Sequence, residues 1–178
     1  MNQYTRIRYV RQDLFTAPQN VSLAHCVAAD LGMRGGIAVD FRERFGDKDH
    51  LRMNANFYGR RHQSNQNEGI LATLPENNRF IYYLITKPRS NQRPTYLSIR
   101  KSLVYMRSHA ELHEVKKIAM PRIASGLDRW KWYKIEMIIK DVFRDSKVQI
   151  DVYTPPVPRH RVNHGTSNVR YTRYSGQA

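Results

Sequence analysis

Residues 117–130 read Lys117-Ile118-Ala119-Met120-Pro121-Arg122-Ile123-Ala124-Ser125-Gly126-Leu127-Asp128-Arg129-Trp130. Lys117 to Met120 is a short apolar run and predicts a strand. Trp132 to Phe143 repeats apolar residues at helical spacing and predicts a helix. Between them lie small residues, a glycine and an acid. A strand opening through such a loop onto a helix N-terminus presents unpaired backbone amides. Together with the positive end of the helix dipole, these favour an anion such as phosphate. Asp128 is the odd residue there, because a carboxylate repels an anion. It is either a helix cap or a working group.

The same alternation of strand and helix continues in both directions. Arg6 to Val10 predicts a first strand. Ser22 to Ala29 is nearly continuous in apolar residues, as expected of a strand covered on both faces. Ile37, Phe41 and Phe45 share one face of a predicted helix. Gly69 to Leu74 and Arg79 to Thr86 predict a hairpin about the turn Pro75-Glu76-Asn77-Asn78. Pro94 to His113 predicts the longest helix, with Pro94 in its first turn. Val148 to Tyr153 predicts the last strand. These elements predict a three-layer α/β/α sandwich with a mixed sheet. Residues 46–68, polar and basic, are expected to form a long loop or partly helical insertion. From Pro155 onward prolines end the pattern, and the acid-free tail is expected to be disordered and cationic.

A chain of 178 residues, 40% apolar, fits one domain with a full core. Its 30 Lys and Arg exceed its 15 Asp and Glu, a net charge of +15 that suits anionic partners. Cys26 is the only cysteine, which rules out an intrachain disulfide. Met1 to Arg11 is too polar for a signal peptide and no apolar run reaches spanning length, so an intracellular protein without membrane contact is expected.

Three loops follow the carboxyl ends of predicted core strands: Gly32–Gly36, the residues after Lys87, and Ala124–Asp128. Ligands of open α/β sheets collect at that edge, and two glycine loops suit two phosphates. Lys87 either reaches solvent from a strand end or, partly desolvated, serves as a nucleophilic amine. Asp128 could then move protons opposite it. His25 is expected to be a hydrogen-bonded core histidine and Cys26 to be core packing. His109 and His113 lack the further ligands of a zinc site.

Taken in order, Asp13-Leu14-Phe15, Ser22-Leu23-Ala24-His25-Cys26, Gly36-Ile37-Ala38-Val39, Tyr82-Tyr83-Leu84-Ile85-Thr86-Lys87, Pro94-Thr95-Tyr96, Met120-Pro121-Arg122-Ile123 and Gly126-Leu127-Asp128-Arg129 resemble a macrodomain. The class is the ALC1-like one, close to terminal ADP-ribose protein glycohydrolases. The resemblance spans residues 7 to 155. It implies ADP-ribose binding and hydrolysis of ADP-ribose esters on protein Glu or Asp side chains through a lysyl–ADP-ribose intermediate. It implies Lys87 as nucleophile and Asp128 as proton carrier, with no metal and no cofactor. Asp13, Leu14 and Pro155 match the adenine end. Gly35, Gly36, Ile37 and Ala38 match the first phosphate loop, and Arg122, Ile123, Ala124, Ser125, Gly126 and Leu127 the second.

This chain departs from the family at Gln12, Ala28, Arg34, Ala124, Ser125 and Pro155. ADP-ribosylated proteins are the implied partners of a monomeric, nuclear or cytoplasmic enzyme. Two other readings stand beside it. One is a reader module that binds ADP-ribose without turnover. The other is affinity for nucleic acid or poly-ADP-ribose through Arg159, Arg161, Arg170, Arg173, Tyr171 and Tyr174 of the tail.

Overall fold

The computed structural model describes residues 7–59 and 69–156. The expectations for residues 60–68 and for the tail from 157 lie outside them. Seven strands form one sheet: β1 (Ile7–Val10), β2 (Ser22–Ala28), β3 (Asn56–Tyr58), β4 (Ile70–Glu76), β5 (Arg79–Lys87), β6 (Lys117–Met120) and β7 (Gln149–Tyr153). Their order is β1-β7-β6-β2-β5-β4-β3. The first five in that order are parallel, and β4 and β3 are added antiparallel. All five parallel strands therefore end at one edge, and the loops that leave them meet there.

Four helices cover the sheet: α1 (Ile37–Phe45), α2 (Lys48–Asn54), α3 (Tyr96–Leu112) and α4 (Trp132–Val142). Alternate side chains of β5 divide between the two faces. Tyr82 and Leu84 pack against Ile99, Leu103 and Met106 of α3 and Ile135, Ile138 and Ile139 of α4. Ile81, Tyr83 and Ile85 pack on the other side with Phe41 of α1 and Leu51 of α2. This is the expected three-layer sandwich. Central β2 lies between β6 and β5, which explains its lack of polar alternation.

Local boundaries differ from the sequence reading in instructive ways. In the described part of the polar stretch, residues 46–59, the partly helical alternative holds: it forms α2, and in addition the edge strand β3, which was not expected. Asp47 caps α2 by accepting bonds from the amides of Asp49 and His50. Pro94 precedes the cap of α3 rather than entering its first turn. Thr95 and Ser98 form the capping box. Pro75 and Glu76 are still paired in β4, so the hairpin turn is Asn77-Asn78 alone. Pro75 lies beyond the last residue that β3 pairs, where its missing N–H costs no ladder bond. No helix among the described residues is long and apolar enough to cross a membrane.

His25 is a core residue, as expected, but not a hydrogen-bonded one. It is fully buried and stacks on Phe41 at 3.7 Å between ring centroids. Neither ring nitrogen has a partner among the described residues. Burial pushes its pKa down to about 3. Folding therefore favours the neutral ring, and this contribution is complete above the unfolded value of about 6.5. It is lost as the pH falls from there toward the folded value. Acidification below about pH 6.5 is expected to lower the Tm, and His25→Phe to make that fall shallower. Calorimetry of the two proteins across this range checks it. Equal slopes would show that His25 does not contribute.

Candidate active site

Lys87 is the last residue of β5, and an irregularity in the sheet aims it. Val27 pairs with Ile85 and Ala28 with Lys87, so Thr86 is an extra residue in the ladder. Such a bulge bends a strand and redirects the side chains beyond it. Helix α3 holds the bulge in place. Ser98 Oγ donates to the Thr86 carbonyl at 2.6 Å, and Ser102 Oγ to those of Ile70 and Ile85 at 3.0 and 3.3 Å. The serine that caps the helix thus also fastens the end of the strand.

Asp128 reaches Lys87 from the loop after β6. That loop is closed by Trp130 N–H donating to the Ala124 carbonyl at 2.9 Å and Arg129 N–H to that of Gly126 at 3.1 Å. Ala124 (φ +56°) and Arg129 (φ +58°) occupy the left-handed region, which costs an L-residue roughly 1–2 kcal/mol. Between these two reversals the loop turns Asp128 toward the sheet. Lys87 Nζ donates to Asp128 Oδ1 at 2.5 Å, with the two side chains only 12% and 11% exposed. Asp128 is therefore not the cap of α4. That position is Lys131, which makes no side-chain cap bond. The helix begins at Trp132, four residues beyond the acid. The anion-favouring groups here are accordingly loop amides more than helix amides. Among the described residues, the backbone bonds that shape the turn do not engage the amides of Gly126, Leu127 and Asp128.

The first glycine loop meets the second. Gly36 has φ +60°, a conformation that glycine adopts without strain. A Cβ on Gly35 would lie 3.1 Å from Leu127 Cδ1, so the two loops are in contact. The first-turn amides of Ile37 and Ala38 open α1 beside them, with no side-chain cap to occupy them. Gly126 has nothing within 4 Å of an added Cβ, and Leu127 is exposed. Asp13 and Pro155 follow β1 and β7 at the same edge. Asp13 caps a short 3-10 helix (Leu14–Thr16) by accepting from Phe15 N–H at 2.9 Å.

Not every candidate side chain faces this space. Leu14, Ile123 and Ala124 are buried in the core, so only their backbone is available to a ligand. Ser125 turns its hydroxyl back to the Ile123 carbonyl at 3.3 Å. The Arg122 guanidinium lies over the Trp132 ring.

Cys26 packs against the core on the α3/α4 face, as expected, while part of its surface stays exposed. Its thiol is close enough to feel the Asp128 carboxylate. Burial first, and that charge second, push its pKa up to about 12. It is thus a neutral wall of the site. Its place two residues before the end of β2, on the α3/α4 face, is the signal that could have found it. Among the described residues no cluster of three His, Cys, Asp or Glu side chains could hold a metal ion.

A largely buried amine and carboxylate in hydrogen-bond contact can exchange a proton and so generate a nucleophile. Two abutting loops with free amides can hold a diphosphate beside them. No family model matches the chain. It is 42% identical over 150 residues to the ADP-ribose glycohydrolase OARD1 of Bos taurus, covering 84% of this chain and 92% of that protein. The Homo sapiens protein of the same name is 41% identical with the same coverage. Among solved structures, the macrodomain of Thermus aquaticus DarG aligns with a TM-score of 0.60 at 20% identity, over 84% of this chain and 99% of that one. The macrodomain of Mycobacterium tuberculosis DarG aligns with a TM-score of 0.63 at 18% identity, over 85% and 99%. At such identities the structural likeness concerns the fold alone.

Proposed function

Because the chain belongs to the macrodomain family of ADP-ribose glycohydrolases, we propose that it is a hydrolase that removes ADP-ribose from protein Glu and Asp side chains through an adduct on Lys87. The macrodomain occupies residues 1–155 in this reading, with the basic tail as an appendage. ADP-ribose lies along the carboxyl edge of the parallel strands. Its adenine end is near Asp13 and Pro155, its diphosphate rests between the Gly35-Gly36 and Ser125–Leu127 loops, and its distal ribose sits against Lys87 and Asp128. The observation that carries the reading is the Lys87–Asp128 contact at 2.5 Å beside the two loops.

Asp128 takes a proton from the Lys87 ammonium, and the freed amine attacks the anomeric carbon of the distal ribose. The bond from that carbon to the ester oxygen breaks, and the protein side chain leaves as a carboxylate. Asp128 gives its proton to solvent as the carboxylate departs and is ionised again. Water then attacks the same carbon while Asp128 accepts its proton and the bond to Nζ breaks, and that proton passes to the freed amine, which restores ammonium and carboxylate with one proton released overall.

The test is incubation with a Glu-linked ADP-ribosylated protein and measurement of free ADP-ribose over time. Release over many turnovers is expected. Tight binding of ADP-ribose with no release would leave a reader module instead. A specific feature favours that second reading: Ala124 holds a left-handed conformation that glycine adopts at lower cost, which bears on how the second loop closes over its ligand.

A further inference from the structure

Asp128 is held from two directions, and only one of them is Lys87. Arg93 lies six residues beyond Lys87, in the loop between β5 and α3. Its Nε and Nη2 donate to the Asp128 carbonyl at 3.4 and 3.3 Å, and Nη2 also to the Arg129 carbonyl at 3.4 Å. Nearby, Trp130 Nε1 donates to the Pro94 carbonyl at 3.2 Å. The loop that follows the nucleophile therefore reaches across to the loop that carries the acid and is tied to it at two points. Each bond is long and weak singly, but a planar guanidinium spanning two consecutive carbonyls fixes an orientation that a single contact cannot. The braced segment includes Arg129, whose left-handed φ of +58° is a conformation that persists only when its surroundings impose it.

Resting on the reading above, we infer that Arg93 is a positioning residue that keeps Asp128 in place while Lys87 is bonded to the sugar. During that interval Nζ is bonded to the ribose and is positioned by the sugar, so the Lys87–Asp128 contact of the resting enzyme no longer fixes the carboxylate by itself. The Arg93 bonds involve backbone carbonyls, so the covalent step leaves them intact. Asp128 then remains directed at the anomeric carbon, where its task is to activate the water that releases the adduct. Arg93 is itself exposed, so its truncation removes no core packing.

The experiment compares the full chain with Arg93→Ala and Lys87→Ala. Arg93→Ala is expected to lower kcat on the order of tenfold, less than the hundredfold of a full ångström misplacement, with KM and ADP-ribose affinity within about twofold. Added guanidinium ion is expected to restore part of the rate. Hydrogen exchange of residues 124–131 is expected to rise in Arg93→Ala and to stay at the wild-type level in Lys87→Ala, where the brace is intact. Wild-type kcat and wild-type exchange in Arg93→Ala would overturn the inference. So would a loss confined to ADP-ribose affinity, which would make Arg93 a ligand contact. Wild-type turnover by Lys87→Ala would instead defeat the reading of the reaction. The exchange measurement still decides the brace in that event.

Discussion

Lys87→Ala is expected to abolish release of ADP-ribose from Glu-linked substrates, a loss on the order of 10³-fold or more, as for removal of a nucleophile that acts as a unit with its partner. Binding of free ADP-ribose should remain measurable, because the two loops proposed to hold its diphosphate do not depend on Lys87. The second loop is closed by its own backbone bonds and the first by the turn at Gly36. Lys87→Arg refines the result. It keeps a cation opposite Asp128 but supplies no nucleophilic amine, since guanidinium does not lose its proton in proteins. If Lys87 acts only by electrostatics, arginine restores much of the rate. If it attacks carbon, both variants are equally inactive. Denaturing mass spectrometry of wild-type enzyme quenched during turnover should find a fraction carrying one ADP-ribose unit, and neither variant should carry it. Normal turnover by Lys87→Ala would sink the mechanism.

The layout of the sheet could be read from β2 and α1 because burial wrote directly into their sequences. Ser22–Ala28 has no polar alternation because both of its faces are covered, and Phe41 recurs on the buried face of its helix. The Lys87–Asp128 pair was harder to see. A strand-end lysine and an aspartate ahead of a helix each have an ordinary explanation. Their contact joins residues 41 positions apart, a distance over which spacing carries no information. The resemblance to a family supplied the pairing, and the geometry removed the cap alternative by placing the start of α4 at Trp132.

Two features left weaker traces. Asp47, ahead of Lys48-Asp49-His50-Leu51, is a legible cap, but the polar composition around it left loop and helix as alternatives for α2. Arg93 is exposed and bonds only to carbonyls, which any residue provides, so neither its partners nor its spacing marks it. The bulge at Thr86 was similarly invisible, because it arises from the register between β2 and β5 rather than from either strand alone.

Asp128→Asn separates the two steps that the proposed mechanism assigns to one carboxylate. The amide has nearly the same shape, so the loop and the Arg93 bonds to its backbone should persist, whereas the group can no longer accept a proton. Loss of a positioned acid–base group costs about 10²- to 10⁴-fold, and a decline in that range is expected here. The position of the block depends on which transfer is slower. If deprotonation of Lys87 limits, little adduct forms and the variant resembles Lys87→Ala. If activation of water limits, Lys87 still attacks and the adduct accumulates, so the variant protein should carry one ADP-ribose unit nearly stoichiometrically on quenching. The first transfer runs across a contact of 2.5 Å that already exists in the ligand-free protein, whereas the second requires a water to be captured and aligned. Water activation is therefore the step expected to suffer more, and accumulation of adduct is the predicted outcome. Unchanged turnover by Asp128→Asn would reduce the residue to a structural partner of Lys87.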